Sequence, residues 1–300
     1  SFIQAEDILS MQLRQLTRLS RIDLERELGD VRLNIQELES ILADDRKIIA
    51  FQPATHDENF ERTSDGGIAE LHGDITADTE NVGVLVPGTG SQLSNYQNVA
   101  DNAARLQRGA GAGTAMISWM GGDFPDDLVH ATSSAKSVDL GPSLADFSHA
   151  VRQETALAGA SVTTTYLGHS YGGAVVGLAE THGLDADRVV HVESAGTGHD
   201  VYSPDDLPAS QDDVQRFSMT APNDPISFVQ GAQDNLDRAR PDNVFGHGAD
   251  PDEFDSVVQL HTGDYAEDST KGSGPMYGAP AHSGVFGLDS DAWRNMVRVI

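Results

Sequence analysis

The 300 residues carry 47 acidic against 19 basic side chains, a formal net charge of −28, 38% hydrophobic residues and no cysteine. Such a length suffices for one α/β domain with an appendage, and the lack of cysteine excludes disulfides, thiolate metal ligation and a cysteine nucleophile. So acidic a chain, whose lysines are Lys47, Lys136 and Lys271 alone, excludes nucleic acid as a partner, since phosphate binding needs clustered Lys and Arg.

No apolar stretch approaches the roughly 20 residues needed to cross a bilayer, so no transmembrane segment is expected. Ser1 to Ser20 interleave polar with apolar positions, unlike the unbroken apolar core of a signal peptide. The expectation is a soluble chain, either cytoplasmic or secreted by a route without a visible signal. Self-repulsion among the carboxylates is screened by salt, and the acidic, lysine-poor composition points to a salt-loving or high-GC source.

Ala5 to Asp44 are predicted helical. Leu24, Leu28, Val31, Ile35, Leu38 and Leu42 follow alternating steps of four and three, the a/d spacing of a coiled-coil seam. Ser20 followed by Asp23 marks a helix start, which divides the region into a helical hairpin over residues 1–46. Its apolar seam has to be covered, by the main domain, by a second copy or by a docked partner. The stretch from Ala5 to Leu19 also resembles the coiled coil of type IIA topoisomerase A subunits, without that family's cleavage machinery.

From Lys47 the pattern changes to short β-rich runs: Ile48 to Phe51, Ile68 to Leu71, Val82 to Val86, Ala115 to Trp119, Val162 to Leu167, Arg188 to Val192, Val214 to Met219 and Val257 to His261. Helix-length segments separate most of them, so residues 47–300 are expected to form a doubly wound α/β domain with a mostly parallel sheet, its first two strands antiparallel. Gln230 to Asp255 are rich in Asp, Gly and Pro and are expected to make an irregular excursion over the C-terminal edge of the sheet. The sequence closes on a helix from about Asp289 to Val299.

The sequence Gly168-His169-Ser170-Tyr171-Gly172-Gly173 sits between an apolar strand and a helical segment. This is Gly-x-Ser-x-Gly in the context of a nucleophile elbow, where a sharp strand-to-helix turn exposes the serine and leaves no room for side chains two positions to either side. A serine hydroxyl needs an imidazole to take its proton. His282, in Ala281-His282-Ser283-Gly284 on a loop after the last strand, is the first choice; His261 is the runner-up, His247 lies in the excursion, and His169 is read as a packing or hydrogen-bonding residue. The acid that orients the imidazole is assigned to Asp224, in Ala221-Pro222-Asn223-Asp224-Pro225 after a strand, with Asp200 as the alternative. The oxyanion that forms on the attacked carbonyl needs backbone N–H donors. Tyr171 supplies one, and the loop Pro87-Gly88-Thr89-Gly90-Ser91 the other, through Thr89 with Gly90 behind it. That loop lacks the Gly-Lys-Ser/Thr ending of a P-loop. The acidic groups around Asp205 and Asp250 lack the spacing of a calcium loop and are read as solvated.

Val86-Pro-Gly-Thr-Gly, Gly168-His-Ser-Tyr-Gly-Gly, Ala221-Pro-Asn-Asp-Pro and His282-Ser occur in that order, along with Ile49-Ala-Phe-Gln-Pro and Gly67-Ile-Ala-Glu-Leu-His-Gly-Asp. Together they resemble an actinobacterial α/β-hydrolase family once catalogued as a domain of unknown function, over about residues 48–300. The resemblance implies an α/β-hydrolase fold with Ser170, Asp224 and His282 in the triad positions. One departure is Gly-Val-Phe after His282-Ser283, where an acidic-aromatic sequence is expected to support the histidine. The expected function is a serine hydrolase acting on a small ester or lipid-like substrate, with no metal or cofactor. The alternative is a noncatalytic module that docks a partner through its N-terminal helices.

Overall fold

Strands buried on both faces read as continuous apolar runs, and Val82 to Val86 and Ala115 to Met120 form the middle of the sheet. The computed structural model describes residues 46–57, 62–230, 246–254, 256–270 and 272–300. The expected N-terminal hairpin and most of the excursion lie outside the described residues. The chain divides into two units, residues 1–46 with 56–63 and residues 47–55 with 64–300; all that follows concerns the second.

Eight strands make the sheet: β1 (Lys47–Gln52), β2 (Gly67–His72), β3 (Asn81–Val86), β4 (Thr114–Met120), β5 (Thr163–His169), β6 (Arg188–Val192), β7 (Gln215–Met219) and β8 (Val257–Gln259). Their order is β1-β2-β4-β3-β5-β6-β7-β8. β1 pairs antiparallel with β2, and β2 antiparallel with β4, while β4-β3, β3-β5, β5-β6, β6-β7 and β7-β8 are all parallel. The mixed, largely parallel sheet and its antiparallel first pair match the sequence expectation.

Among the described residues the helices are α1 (Gln97–Ala110), α2 (Ala135–Leu157), α3 (Tyr171–Thr181), α4 (Ala279–Gly284) and α5 (Asp291–Val299). Burial of Val99, Ala100, Ala103 and Leu106 puts one stripe of α1 against β4 and α5, and Ala292, Trp293, Met296 and Val299 form the matching stripe of α5. The apolar α3 is buried from Tyr171 to Glu180, between the sheet and α2. Right-handed crossovers that leave β3 leftward to β4 and then return rightward to β5 and β6 put α1 on one face and α2 and α3 on the other. The chain order therefore reverses between β3 and β5, and a crevice opens there at the C-terminal ends of the strands, the usual place for a ligand in an open α/β sheet.

Two expectations need correction. Between β6 and β7 the connection holds two 3₁₀ turns, Pro204–Asp206 and Ala209–Gln211, instead of a helix. Prolines recurring every few residues, together with Gly198 at φ 107°, halt a helix before it can pass its costly first turn. The last strand also ends at Gln259, short of His261, with Leu260 N–H making a last bond to Ser218 O at 2.7 Å. Among the described residues no helix is long and apolar enough to cross a membrane.

Candidate active site

β5 ends at His169, and α3 begins at Tyr171, so Ser170 alone makes the turn between them. Its backbone sits at φ 55° and ψ −123°, a region that costs a non-glycine residue on the order of 1–3 kcal/mol. Three hydrogen bonds lock it there: its N–H donates to Val192 O at 3.0 Å, while its carbonyl accepts the N–H groups of Gly173 and Ala195, each at 3.0 Å. The motif glycines are required by close backbone approach. A Cβ on Gly168 would lie 2.5 Å from Gly172 O, and one on Gly172 would lie 2.3 Å from Pro87 O and 2.4 Å from Val86 O.

His282 and Asp224 meet beneath this turn. The imidazole Nδ1–H donates to Asp224 Oδ2 at 3.1 Å, and the Ile226 amide donates to Asp224 Oδ1 at 2.9 Å. Burial opposes ionisation of Asp224, but the hydrogen bonds from His282 and Ile226 outweigh it and hold the carboxyl below the usual carboxylate range. With Nδ1 carrying the proton, Nε2 is left with its lone pair. Ser170 Oγ and His282 line the same cavity, together with Thr89, Tyr171 and Asp224. No hydrogen bond joins Ser170 Oγ to the imidazole, and such contacts commonly tighten only when substrate is bound.

The loop after β3 passes directly against the serine, since a Cβ on Gly88 would lie 2.7 Å from Ser170 Cβ and 3.2 Å from Oγ. The structure separates the two donors considered in this loop. Gly90 N–H is already committed to Pro125 O at 2.7 Å, so it is not free to hold an oxyanion. Among the described residues Thr89 N–H donates to no backbone carbonyl. Tyr171 N–H opens α3, where a helix has no internal acceptor to offer.

The other candidates fall away from Ser170. His261 is exposed and lines a separate cleft with Thr220 and Asp252. His247 is buried, donates Nε2–H to Ala131 O at 2.7 Å and stands edge-on to Tyr171. Asp200 lies beside His199 instead of His282. His282 itself is on the short helix α4 and not on a loop, because Gly278 (φ 65°) and Pro280 start a helical turn just ahead of it. His169 serves as expected: its Nε2–H donates to the His282 carbonyl at 2.8 Å, and its ring stacks 5.0 Å from the His282 ring. Burial, with some help from His282, pushes its pKa down to about 4, so it stays neutral. Phe286 packs edge-on against His169 at 5.1 Å. The Gly-Val-Phe sequence thus supports the histidine through an edge-on ring contact where an acidic contact was expected.

Sequence reasoning missed Glu193. It follows β6, has φ 45°, is completely buried, and accepts the Ala221 N–H on both carboxyl oxygens at 2.9 and 3.1 Å. Ligand-capable atoms of Glu193, Asp224 and His282 lie within 4.8 Å of one another. Burial first, and then the charge of Asp224, pushes Glu193 up to about 8, so near neutral pH it is a carboxylic acid whose proton can be donated to Asp224. Such a set of groups can hold a metal ion in principle; here each already has a protein partner, His282 on Asp224 and Glu193 on the Ala221 amide. The only sequence signal was a carboxylate directly after a buried strand at the ligand-binding edge.

Comparison with known proteins bears on the fold. No curated protein matches the chain. Among solved structures it is similar to a protein of Thermus thermophilus (13% identity, 65% of this chain and 84% of that one, TM-score 0.37) and to a hyperthermophilic esterase from the archaeon Pyrobaculum calidifontis (12%, 78% and 81%, 0.37). It also matches a thermostable carboxyl esterase of Bacillus coagulans (18%, 49% and 46%, 0.28), spanning less than half of that enzyme's length. Likenesses at this level bear on neither substrate nor mechanism. Residues 63–233, more than half of the chain, match the family model described as alpha/beta hydrolase, and with the strand order above this protein belongs to the α/β-hydrolase family.

Proposed function

We propose that the protein is a serine hydrolase that cleaves carboxylic esters through an acyl-enzyme on Ser170. The observation that carries this reading is the placement of Ser170, on a strained strand-to-helix turn at the switch point of the sheet, in one cavity with a His282 imidazole whose far nitrogen is oriented by Asp224. In the proposed reaction His282 Nε2 takes the Ser170 hydroxyl proton as Oγ bonds to the ester carbonyl carbon. The oxyanion is held by the Thr89 and Tyr171 amides. It collapses as the carbon–alkoxy bond breaks and Nε2–H protonates the departing alcohol. Water then adds to the acyl-enzyme, giving its proton to His282, and releases the acid with Ser170 restored. Asp224 stays ionised throughout and stabilises the imidazolium.

The test is hydrolysis of p-nitrophenyl esters by the wild type and by Ser170→Ala, with fluorophosphonate labelling of both. Wild-type turnover and labelling that vanish in the variant support the assignment. Wild-type protein that neither turns over nor labels refutes it and moves the reading to a partner-docking module, whose proposed contact through residues 1–46 falls outside the described residues. Kinship with the actinobacterial hydrolases belongs to the same proposal.

A further inference from the structure

Two cavities of different polarity meet at Ser170, one almost wholly apolar and the other, the more polar of the two, mixed. One, of about 290 Å³, is walled by Leu128, Ala131, Ala195, Pro225, Ile226 and Val229. The other, of about 520 Å³, presents Ser91, Asn98, Asn102, Asp126 and Asp127. Thr89, Leu128, Ser170 and His282 belong to both. An ester carbonyl carbon bonded to Ser170 Oγ carries two substituents, the acyl chain and the alkoxy group, which leave it in different directions. Each therefore has a cavity to enter.

The histidine decides which enters where. Asp224, which holds Nδ1, lines the apolar cavity and not the polar one, whereas His169, Ser283 and Phe286 line the polar one and not the apolar one. On this reading Nε2, the nitrogen that Asp224 does not hold, faces the polar side. The leaving alcohol must depart next to Nε2–H in order to receive its proton, so it belongs in the polar cavity. The acyl chain then occupies the apolar one, where burial of methylenes is favourable.

Charge narrows the alcohol further. Among the described residues neither cavity is lined by a lysine or arginine, and the polar one has Asp126 and Asp127 at its wall. Asp127 is fixed in place, accepting the Val129 and His130 amides at 2.9 Å each and meeting His130 Nδ1 at 2.9 Å. The hydrogen bonds from the His130 amide and ring hold its carboxyl below the usual carboxylate range, so it is ionised near neutral pH. An alcohol bearing phosphate or carboxylate would meet only hydroxyls, amides and like charge. One bearing hydroxyls finds acceptors and donors, and a cationic one finds counter-charge.

Building on the reading of Ser170 as nucleophile, we propose that the substrates are esters of medium-length, uncharged acyl chains with hydroxylated or cationic alcohols, the chain lying between Ala131 and Ile226 and the alcohol beside Asp126 and Asp127, and that esters of anionic alcohols are rejected.

The experiment is a two-way substrate series on the full chain, reading kcat/KM. One arm varies the acyl chain from acetyl to dodecanoyl on a single alcohol; the other holds butyryl constant and compares choline, ethylene glycol and glycolate esters. Along the first arm kcat/KM should climb by about fourfold per methylene and stop once the cavity is full. Ile226→Trp, or Val229→Trp should that variant not fold, should move the optimum to shorter chains. Intrinsic reactivities of the three alcohols differ, so the second arm is read as the choline-to-glycolate ratio of the wild type over that of Asp126→Asn/Asp127→Asn. That quotient should be about fivefold for each carboxylate, the upper range for exposed charge pairs.

Ser170-dependent hydrolysis that is flat in acyl length overturns the inference while leaving the hydrolase reading intact. So does a charge quotient near one. Absence of both turnover and fluorophosphonate labelling fails the underlying reading, and this inference with it.

Discussion

Replacing Glu193 by glutamine tests the least expected part of the site. The amide is isosteric with the protonated acid, can still accept the Ala221 N–H, and keeps a donor for Asp224, but it cannot ionise. In the folded protein the Glu193 pKa is raised from 4.5 to about 8, mainly by burial and further by Asp224. A raised folded pKa means that the native state keeps its proton over a window in which the unfolded chain has lost it. The stabilisation is therefore complete below the unfolded value of 4.5 and falls as pH rises toward about 8. One proton held only by the folded state sets the slope at up to about 1.4 kcal/mol per pH unit, or about 2.7 kcal/mol between about pH 5.5 and about pH 7.5. Because Glu193 and Asp224 interact, the window belongs to the pair. The assay is urea unfolding of wild type and Glu193→Gln across that range at fixed ionic strength, since a net charge of −28 makes stability salt-sensitive. Glu193→Gln should gain on the wild type steadily as pH rises. Parallel curves, or a wild type that gains instead, would show that Glu193 titrates as an ordinary carboxylate and refute the argument. Glu193→Leu, which strips the acceptor from the Ala221 amide, should cost about 1–3 kcal/mol at every pH.

Three other perturbations follow from the same contacts. Gly172→Ala drives a methyl into the Pro87 and Val86 carbonyls; it should lower stability by about 1–3 kcal/mol and ester hydrolysis by more than that loss explains, and a variant with wild-type Tm and kcat/KM would contradict the close packing of elbow and loop. Arg216, buried on β7, donates Nε–H to Glu180 Oε1 at 2.8 Å, and also NH2–H to Gln211 O at 2.9 Å, tying α3 to the strand that leads to Asp224. Arg216→Met leaves Glu180 buried and unpaired and should cost about 3–5 kcal/mol by denaturant midpoint, most of it regained in Arg216→Met/Glu180→Leu; an additive double variant would refute the coupling. Asp224→Asn should reduce kcat by about 10⁴-fold, as when the acid of a serine-protease triad is lost, with little change in KM, and near-normal turnover would remove Asp224 from the proposed mechanism.

Much of this was legible in the residues. Val82 to Val86 and Ala115 to Trp119 read as buried strands because both faces of a parallel sheet are covered, and Gly168 to Gly173 read as an elbow because steric crowding at such a turn admits little else. Local signals failed where a distant partner decides the outcome. Nothing near Gly90 announces that its amide is taken by Pro125, and a count of residues between Val192 and Gln215 does not reveal that prolines break the connection into 3₁₀ turns. The edge-on contact of His169 with Phe286 joins residues more than a hundred positions apart, so Gly-Val-Phe looked like a missing support.

Glu193 is the instructive case, because strand order alone would have found it. β6 and β7 are parallel neighbours, so the residues that leave their C-terminal ends are neighbours too: Glu193 N–H donates to Met219 O at 2.7 Å, and the chain beyond Met219 runs on through Ala221 to Asp224. A carboxylate one residue past β6 must therefore face the carboxylate carried a few residues past β7. Two such groups cannot both be charged in a buried site without a counter-ion for each, and His282 is a partner for only one. Protonation of Glu193 is what resolves the conflict. Its cost and its pH dependence follow from the topology that brings Ser170, Asp224 and His282 to one edge of the sheet.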